Sequence, residues 1–331
     1  MSVHRALAPA KVNLGLFMGP IRSSDGRHEL VSVMQSISLA DELTLQDAPS
    51  GAEHDEVICP GVPGPPDENL AAAALRAFRK STGWRAPPQR LRIAKRIPVA
   101  AGLAGGSADA AGALRLARHA SGLGDEQLLL AIAARLGADV PAQVSPGRWL
   151  ATGAGERLYE LPAPRTPFGV LVLPAAFGLS TGAVFAEADR LGLARSEPAL
   201  EKLRADIARA LEHGDSLPAE ASLLTNDLQR AAISLRPEIA DALDEALDTG
   251  AVHALLSGSG PTVFGLFGSG SDSSSDSLLA LGEGPVRAEL AAAELRGRVP
   301  QAVSATPVDA TFAEAVTLDA NTARGASPAR P

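Results

Sequence analysis

Residues 97–117 read IPVAAGLAGGSADAAGALRLA, in which a proline, three glycines and a serine run directly into alanines and leucines spaced as on a helix. Glycine costs backbone entropy, so such a cluster marks a sharp bend or a place where something approaches the backbone closely. Gly102, Gly105 and Gly106 would let backbone N–H groups converge on an anion, and the dipole of the following helix would add favourable partial charge. Ser107 would cap that helix or contact a phosphate oxygen or its magnesium. No lysine follows the glycines, so this is not a Walker A loop, and Ala104 stands where G-x-G-x-x-G needs its second glycine. Taken alone, a glycine turn feeding a capped helix explains the stretch equally well, with Asp109 complementing the dipole in the first turn.

A phosphate loop without its own lysine needs a cation from elsewhere, and Lys11 is the candidate. Alternation in VNLGLFM (residues 12–18) predicts a strand with Val12, Leu14 and Leu16 on one face and Lys11, Asn13 and Gly15 on the other. Asp139, in LGADVPAQ (136–143), either N-caps a new helix with Pro141 in its first turn or serves as general base toward a substrate hydroxyl. His28 opens a strand, as a structural residue or as a ring nitrogen offered to a heterocycle. Phe185 is a core helix residue or a stacking surface for a base. Ser257, Gly258, Ser259 and Gly260 make a hairpin turn or a second point of backbone approach.

Around these motifs the start of the chain reads as sheet, HELVSVMQSISLADELTL (28–45) forming one or two strands. NLAAAALRAFRKSTG (69–83) is a helix closed by Gly83, and QRLRIAKRIP (89–98) a strand leading to the glycines. DEQLLLAIAARLG (125–137) is a helix N-capped by Asp125, and PFGVLVLP (167–174) a buried strand. LPAPRTP (161–167) marks the domain boundary, giving units of 1–163 and 164–318 with a disordered tail at 319–331. Residues 197–250 read as helices broken at LTNDL and LRPEI, HALLSGSGPTVFGLF (253–267) as strand, turn and strand, and GSGSDSSSDS as a surface loop.

Of the 331 residues 46% are apolar, enough for two domains with proper cores. A net charge of -8 provides no basic field for nucleic acid or an anionic membrane, so an anionic ligand must be held by local groups. The single cysteine, Cys59, excludes an internal disulfide framework and suits a reducing compartment. With no secretory signal pattern and no apolar run long enough to span a bilayer, a cytoplasmic location is expected.

The motifs APAKVNLGLF, DGRHEL, PVAAGLAGGSADAAGAL, LGADVP, LTNDL and LLSGSGPT occur in this order, and together they resemble those of the GHMP kinase superfamily. The resemblance implies an α+β, two-domain fold, with an N-terminal domain like the second domain of ribosomal protein S5 and a ferredoxin-like C-terminal domain. Within the superfamily the chain is most similar to the branch that uses ATP and Mg2+ to phosphorylate the 2-hydroxyl of a cytidine diphosphate-linked methylerythritol in non-mevalonate isoprenoid biosynthesis. Other small-alcohol kinases, acting on homoserine, mevalonate or a sugar, and a catalytically silent nucleotide-binding protein are the alternatives. The resemblance implies a small-molecule partner only, neither nucleic acid nor membrane, and a monomer or homodimer.

By the same resemblance Lys11 and Asp139 are the catalytic pair. The ATP phosphates are wrapped by Pro98, Val99, Ala100, Ala101, Gly102, Leu103, Ala104, Gly105, Gly106, Ser107 and Ala108, with Ser107 a candidate magnesium ligand. Asn13 holds the methylerythritol, Arg27, His28 and Phe185 hold the cytosine, and Ser257, Gly258, Ser259 and Gly260 form a supporting glycine loop. Arg27 stands where the family stacks a tyrosine on the cytosine, and an arginine plane can take that role. Ala108 replaces a serine whose hydroxyl would contact phosphate, Ala104 replaces a glycine, and residues 268–285 lengthen a surface loop.

Overall fold

The computed structural model describes residues 2–218, 220–268 and 283–318. Two long strands, β1 (Val3–Ile21) and β2 (His28–Asp47), pair antiparallel and form the spine of the molecule. The segment expected as one or two strands is thus a single strand of 20 residues. One half of β2 pairs β4 (Gln89–Ala94), which pairs the short β3 (Glu56–Ile58) in parallel. The other half pairs β5 (Arg148–Gly153), which continues into β6 (Arg157–Leu161).

Against this sheet lie α1 (Leu70–Thr82), α2 (Gly105–Ser121), α3 (Glu126–Leu136) and the single turn α4 (Val140–Val144). Their ends follow the sequence. Asn69 Oδ1 accepts from Ala71 N–H at the start of α1, Asp125 caps α3 through Leu128 N–H, and Gly83 and Gly122 close α1 and α2 in the left-handed conformation. Alanines 108, 110, 111, 113 and 117 line the inner face of α2 and are buried. Small side chains let this helix sit close to both long strands, where a Cβ on Gly112 would lie 2.9 Å from Leu43 Cδ2 of β2 and 3.5 Å from Ala8 Cβ of β1.

The second sheet has the order β10-β7-β9-β8, all antiparallel. Its members are β7 (Gly169–Leu173), β8 (His253–Leu256), β9 (Val263–Phe267) and β10 (Val303–Ala305). It carries α5 (Thr181–Arg190), α7 (Gln229–Leu235), α8 (Glu238–Asp248) and α9 (Glu283–Leu295), whereas α6 (Glu197–Leu211) packs against β1 and β2 of the first sheet. All five residues of β7 and of β9 are buried, as a continuous apolar run requires.

The chain passes between the sheets after Leu161 but does not stay in the second. β11 (Val316–Leu318) returns to the outer edge of β1, so the last described strand belongs to the first sheet. Bridges at Leu16–Asn226 and Ile37–Pro307 join the halves again. The expected low-complexity loop, apart from Gly268, and the expected tail lie outside the described residues. Among those described, no helix is long and apolar enough to cross a membrane.

Candidate active site

A bulge in β1 builds the floor of the cleft. Asn13 pairs with Met34 and Gly15 with Val33, so Leu14 is an extra residue opposite no partner. Strict alternation predicts Leu16 on the core side with Val12 and Leu14. The extra residue reverses the parity instead, and Leu16 joins Lys11 and Asn13 on the cleft wall and packs with the second core.

Lys11 is buried, and its ammonium donates to Asn13 Oδ1 at 2.7 Å and to the Gly102 carbonyl at 3.3 Å. Asn13 donates in turn to Ser32 Oγ at 2.8 Å, and Ser32 donates to the Gly15 carbonyl at 2.8 Å. This relay fixes the Asn13 amide with its oxygen toward the lysine. Asp139 sits at the head of α4, but its side chain makes no cap hydrogen bond. It turns to Lys11 instead, with Oδ2 4.0 Å from Nζ and its side chain 40% exposed. The lysine is thus anchored, while the carboxylate beside it remains open to a ligand.

The glycine stretch forms the roof. Gly102 (φ +77°) lies against the second glycine turn, where a Cβ would strike the Ser257 carbonyl and lie 2.9 Å from that of Gly260. Ser257 Oγ donates to the Gly102 carbonyl at 3.0 Å, and Lys11 N–H donates to that of Leu103 at 3.1 Å. The resulting cavity, about 730 Å3, takes in Lys11, Asp139, the N-terminus of α2 and the 257–260 turn. Gly258 borders it at Lys11, and Ser259 Oγ is 2.8 Å from Thr181 Oγ1.

Helix α2 begins at Gly105, not after Ser107. Its N-cap is Ala104, held at φ +57° with no side chain to cap the first turn. The first-turn N–H groups of a 17-residue helix therefore face the cavity with the positive end of its dipole. Ser107 lies inside the first turn and lines the cavity, so it is not the cap. Leu103 and Ala108 point into the core, at 1% and 0% exposure, whereas the other residues from Pro98 to Ser107 line the cavity. A hydroxyl at position 108 would be buried, so alanine there removes no phosphate contact.

Two of the residues expected at the cytosine stand apart from the cavity wall. Arg27 is not on the cavity wall: Asp25, two residues earlier, captures its guanidinium at 2.8 Å. His28 also lies behind the wall. Its Nδ1 is 2.8 Å from the Gly19 carbonyl, its Nε2 is 3.1 Å from Asp189 Oδ1, and its ring stacks on Phe185 at 5.5 Å. No polar edge of the imidazole is left for a base. Phe185 itself does line the cavity.

Asp109 does more than complement a dipole. It is buried, and with Lys95 and Asp41 it forms a cluster of one cation between two carboxylates. Asp41 also accepts from Arg96 and Ile97 N–H, at 2.6 and 2.8 Å, whereas Asp109 Oδ1 is buried without a partner. Burial pushes the Asp109 carboxyl up to about 7; Lys95 opposes the shift and Asp41 adds to it. The cluster ties residues 95–97, just before the glycines, to α2 just after them. Asn226, in LTNDL, is a second residue that pattern reading passes over: its amide donates to the Leu256 and Gly258 carbonyls at 2.7 and 2.8 Å and braces the glycine turn. Neither role has a local signature, because each partner is more than ten residues away in sequence.

An open helix N-terminus above a lysine and a carboxylate, set between two sheets, is a site built for an anionic phosphate ester and a hydroxyl that loses its proton. The family model described as GHMP kinases N terminal domain matches residues 69–147, and that of GHMP kinases C terminal matches residues 192–299. The chain belongs to the GHMP kinases, and it is a kinase that takes ATP as phosphoryl donor.

Among curated relatives it is similar to 4-diphosphocytidyl-2-C-methyl-D-erythritol kinase of Streptomyces coelicolor, 45% identical over 91% of this chain and 98% of the relative. The protein of the same name from Nocardia farcinica is 45% identical over 77% and 82%. A crystal structure of 4-(cytidine 5'-diphospho)-2C-methyl-D-erythritol kinase superposes with a TM-score of 0.70 at 32% identity, covering 91% of this chain and 98% of the other. A homoserine kinase from Cytophaga hutchinsonii shares the fold, with a TM-score of 0.67 at 16% identity over 96% and 97%.

Proposed function

We propose that this kinase transfers the γ-phosphoryl group of ATP to the 2-hydroxyl of 4-diphosphocytidyl-2-C-methyl-D-erythritol, giving ADP and the 2-phosphate, a step of non-mevalonate isoprenoid precursor synthesis. The observation that carries the chemistry is the Lys11–Asp139 pair, 4.0 Å apart within the cavity, with the anchored lysine reaching the phosphate loop through Gly102. The 45% identity to the Streptomyces enzyme over nearly its whole length carries the choice of substrate.

In this reading the N-terminus of α2 and the 102–107 backbone hold the ATP phosphates. Asp139 accepts the proton of the C2 hydroxyl as its oxygen attacks the γ-phosphorus, and the bond to the ADP oxygen breaks. Lys11 orients Asp139 and offsets charge on the phosphoryl group in transit. Asn13 orients the methylerythritol, and Phe185 stacks on the cytosine. The Ser107 hydroxyl is a hard oxygen donor lining the cavity at the start of α2 and suits Mg2+, which takes few protein ligands beside nucleotide phosphates. When bound, the ion would neutralise phosphate charge.

The division into an N-terminal unit of 1–163 with the phosphate loop and a C-terminal unit of 164–318 belongs to this proposal, as does a cytoplasmic location. An ADP-release assay of the purified protein with the cytidine substrate, mevalonate and homoserine tests it. Turnover of the cytidine substrate alone is expected; turnover of only the other two would overturn the substrate and keep the family.

A further inference from the structure

Helix α5 is a bar fastened at both ends, with Phe185 at its middle. Thr181, Phe185 and Asp189 are spaced four apart and share one face of the helix. At the N-terminal end Thr181 Oγ1 is 2.8 Å from Ser259 Oγ in the glycine turn. At the C-terminal end the Asp189 carboxylate meets His28 Nε2 from both oxygens, Oδ1 at 3.1 Å and Oδ2 at 3.4 Å. His28 opens β2 in the first sheet, so this contact joins the helix of one half of the molecule to the sheet of the other.

The imidazole is fully engaged. Its Nδ1 faces the Gly19 carbonyl at 2.8 Å and its Nε2 faces the Asp189 carboxylate, so both ring nitrogens have a protein partner. The ring plane lies 22° from that of Phe185, with centroids 5.5 Å apart. The imidazole thus backs the phenyl ring from behind while the phenyl ring lines the cavity. The other acidic side chain of this part of α5, Glu187, is taken by Arg190 and Ser234 and plays no part.

We infer that Asp189 is a positioning residue for pyrimidine recognition: by clamping His28 it sets the plane and distance of the Phe185 ring against which the cytosine of the substrate stacks. The inference rests on the proposed function in taking Phe185 as the base-stacking surface. Asp189 makes no contact with Lys11, Asp139 or the phosphate loop, so it acts on substrate binding and leaves phosphoryl transfer alone.

The test is steady-state kinetics with ATP and 4-diphosphocytidyl-2-C-methyl-D-erythritol for Asp189→Ala, Asp189→Asn, Phe185→Ala and the double variant Phe185→Ala with Asp189→Ala, each checked for folding by circular dichroism. A misplaced stacking surface loses the part of stacking that depends on geometry, so Asp189→Ala is expected to raise the KM of the cytidine substrate about tenfold. The kcat and the KM for ATP should stay within about twofold, and Asp189→Asn, whose amide oxygen still accepts from Nε2, should recover part of the loss. In the Phe185→Ala background the second substitution should add less than about twofold, because its effect passes through the missing ring. If Phe185→Ala raises the KM and Asp189→Ala does not, or if the two effects add fully, the role of Asp189 is refuted while the base site stands. If Phe185→Ala leaves the KM unchanged, the base site itself is misassigned and the inference goes with it.

Discussion

At the scale of single residues, the proposed chemistry rests on an asymmetry between two charges. Lys11 is buried and hydrogen-bonded to Asn13 and Gly102, while Asp139 is open to the cavity. Asp139→Asn removes the proposed base and keeps the shape, so kcat should fall by roughly 10²–10⁴-fold with the KM for ATP little changed; kinetics of the folded variant check this, and full activity would remove Asp139 from the mechanism. Asp109 gives a pH signature. Its carboxyl is raised to about 7 in the folded chain by burial, whereas in an unfolded chain it titrates near the ordinary value of about 4. Between these values the native state binds the extra proton, so this contribution to stability is present in full below pH ~4 and is lost as pH rises toward ~7. Asp109→Asn should flatten that slope in urea midpoints measured from pH 4 to 8. Ala104 holds a left-handed φ of +57°, so Ala104→Gly should stabilise the fold by about 0.5–1 kcal/mol, read as a raised denaturation midpoint.

At the scale of elements, α4 brings Asp139 to Lys11, and the sequence says little about how so short a helix is held. The structure answers with Arg115 of α2, whose guanidinium donates to the carbonyls of Gln143 and Val144 at the end of α4, to Leu7 of β1 at 2.8 Å and to Ala313 at 3.1 Å. With no carboxylate to compensate, burial pushes the Arg115 guanidinium down to about 10. One side chain thus ties together the three elements that carry the phosphate loop, Asp139 and Lys11. Arg115→Met leaves those carbonyls without donors and should cost about 3 kcal/mol or more in chemical denaturation. Some helix ends were legible because capping is local: Asn69, Gly83, Asp125 and Gly137 stand where the pattern puts them. The Leu14 bulge was not, since a one-residue insertion in a register depends on the partner strand.

At the scale of the whole molecule, the cavity exists only because two glycine turns from different halves meet. Gly102→Ala would force a left-handed φ on alanine and drive a methyl group into the Ser257 carbonyl; a loss of about 2 kcal/mol or more is expected, together with weaker ATP binding. Thermal unfolding with and without ATP measures both, since a ligand at a hundred times its Kd adds about 2.7 kcal/mol to the native state. Arg27 shows the limit of motif reading at this scale. Its position in DGRHEL suggests a stacking plane, yet its charge finds Asp25 first.

By itself the sequence determined the main strand and helix pattern and the glycine-rich start of a helix, and through its resemblance to the GHMP kinases it pointed to a two-domain α+β fold and to Lys11 and Asp139. Those depend on local hydrophobic period, turn chemistry and the motifs quoted above. Only the tertiary structure decided that the open end of α2 faces a cavity, that Leu16 changes sides, that Ala108 lies in the core, and that Asp109, Asn226, Arg115 and Asp189 hold the site from behind. These outcomes arise from partners distant along the chain and adjacent in space, where packing and hydrogen bonding, not spacing in sequence, set the energy.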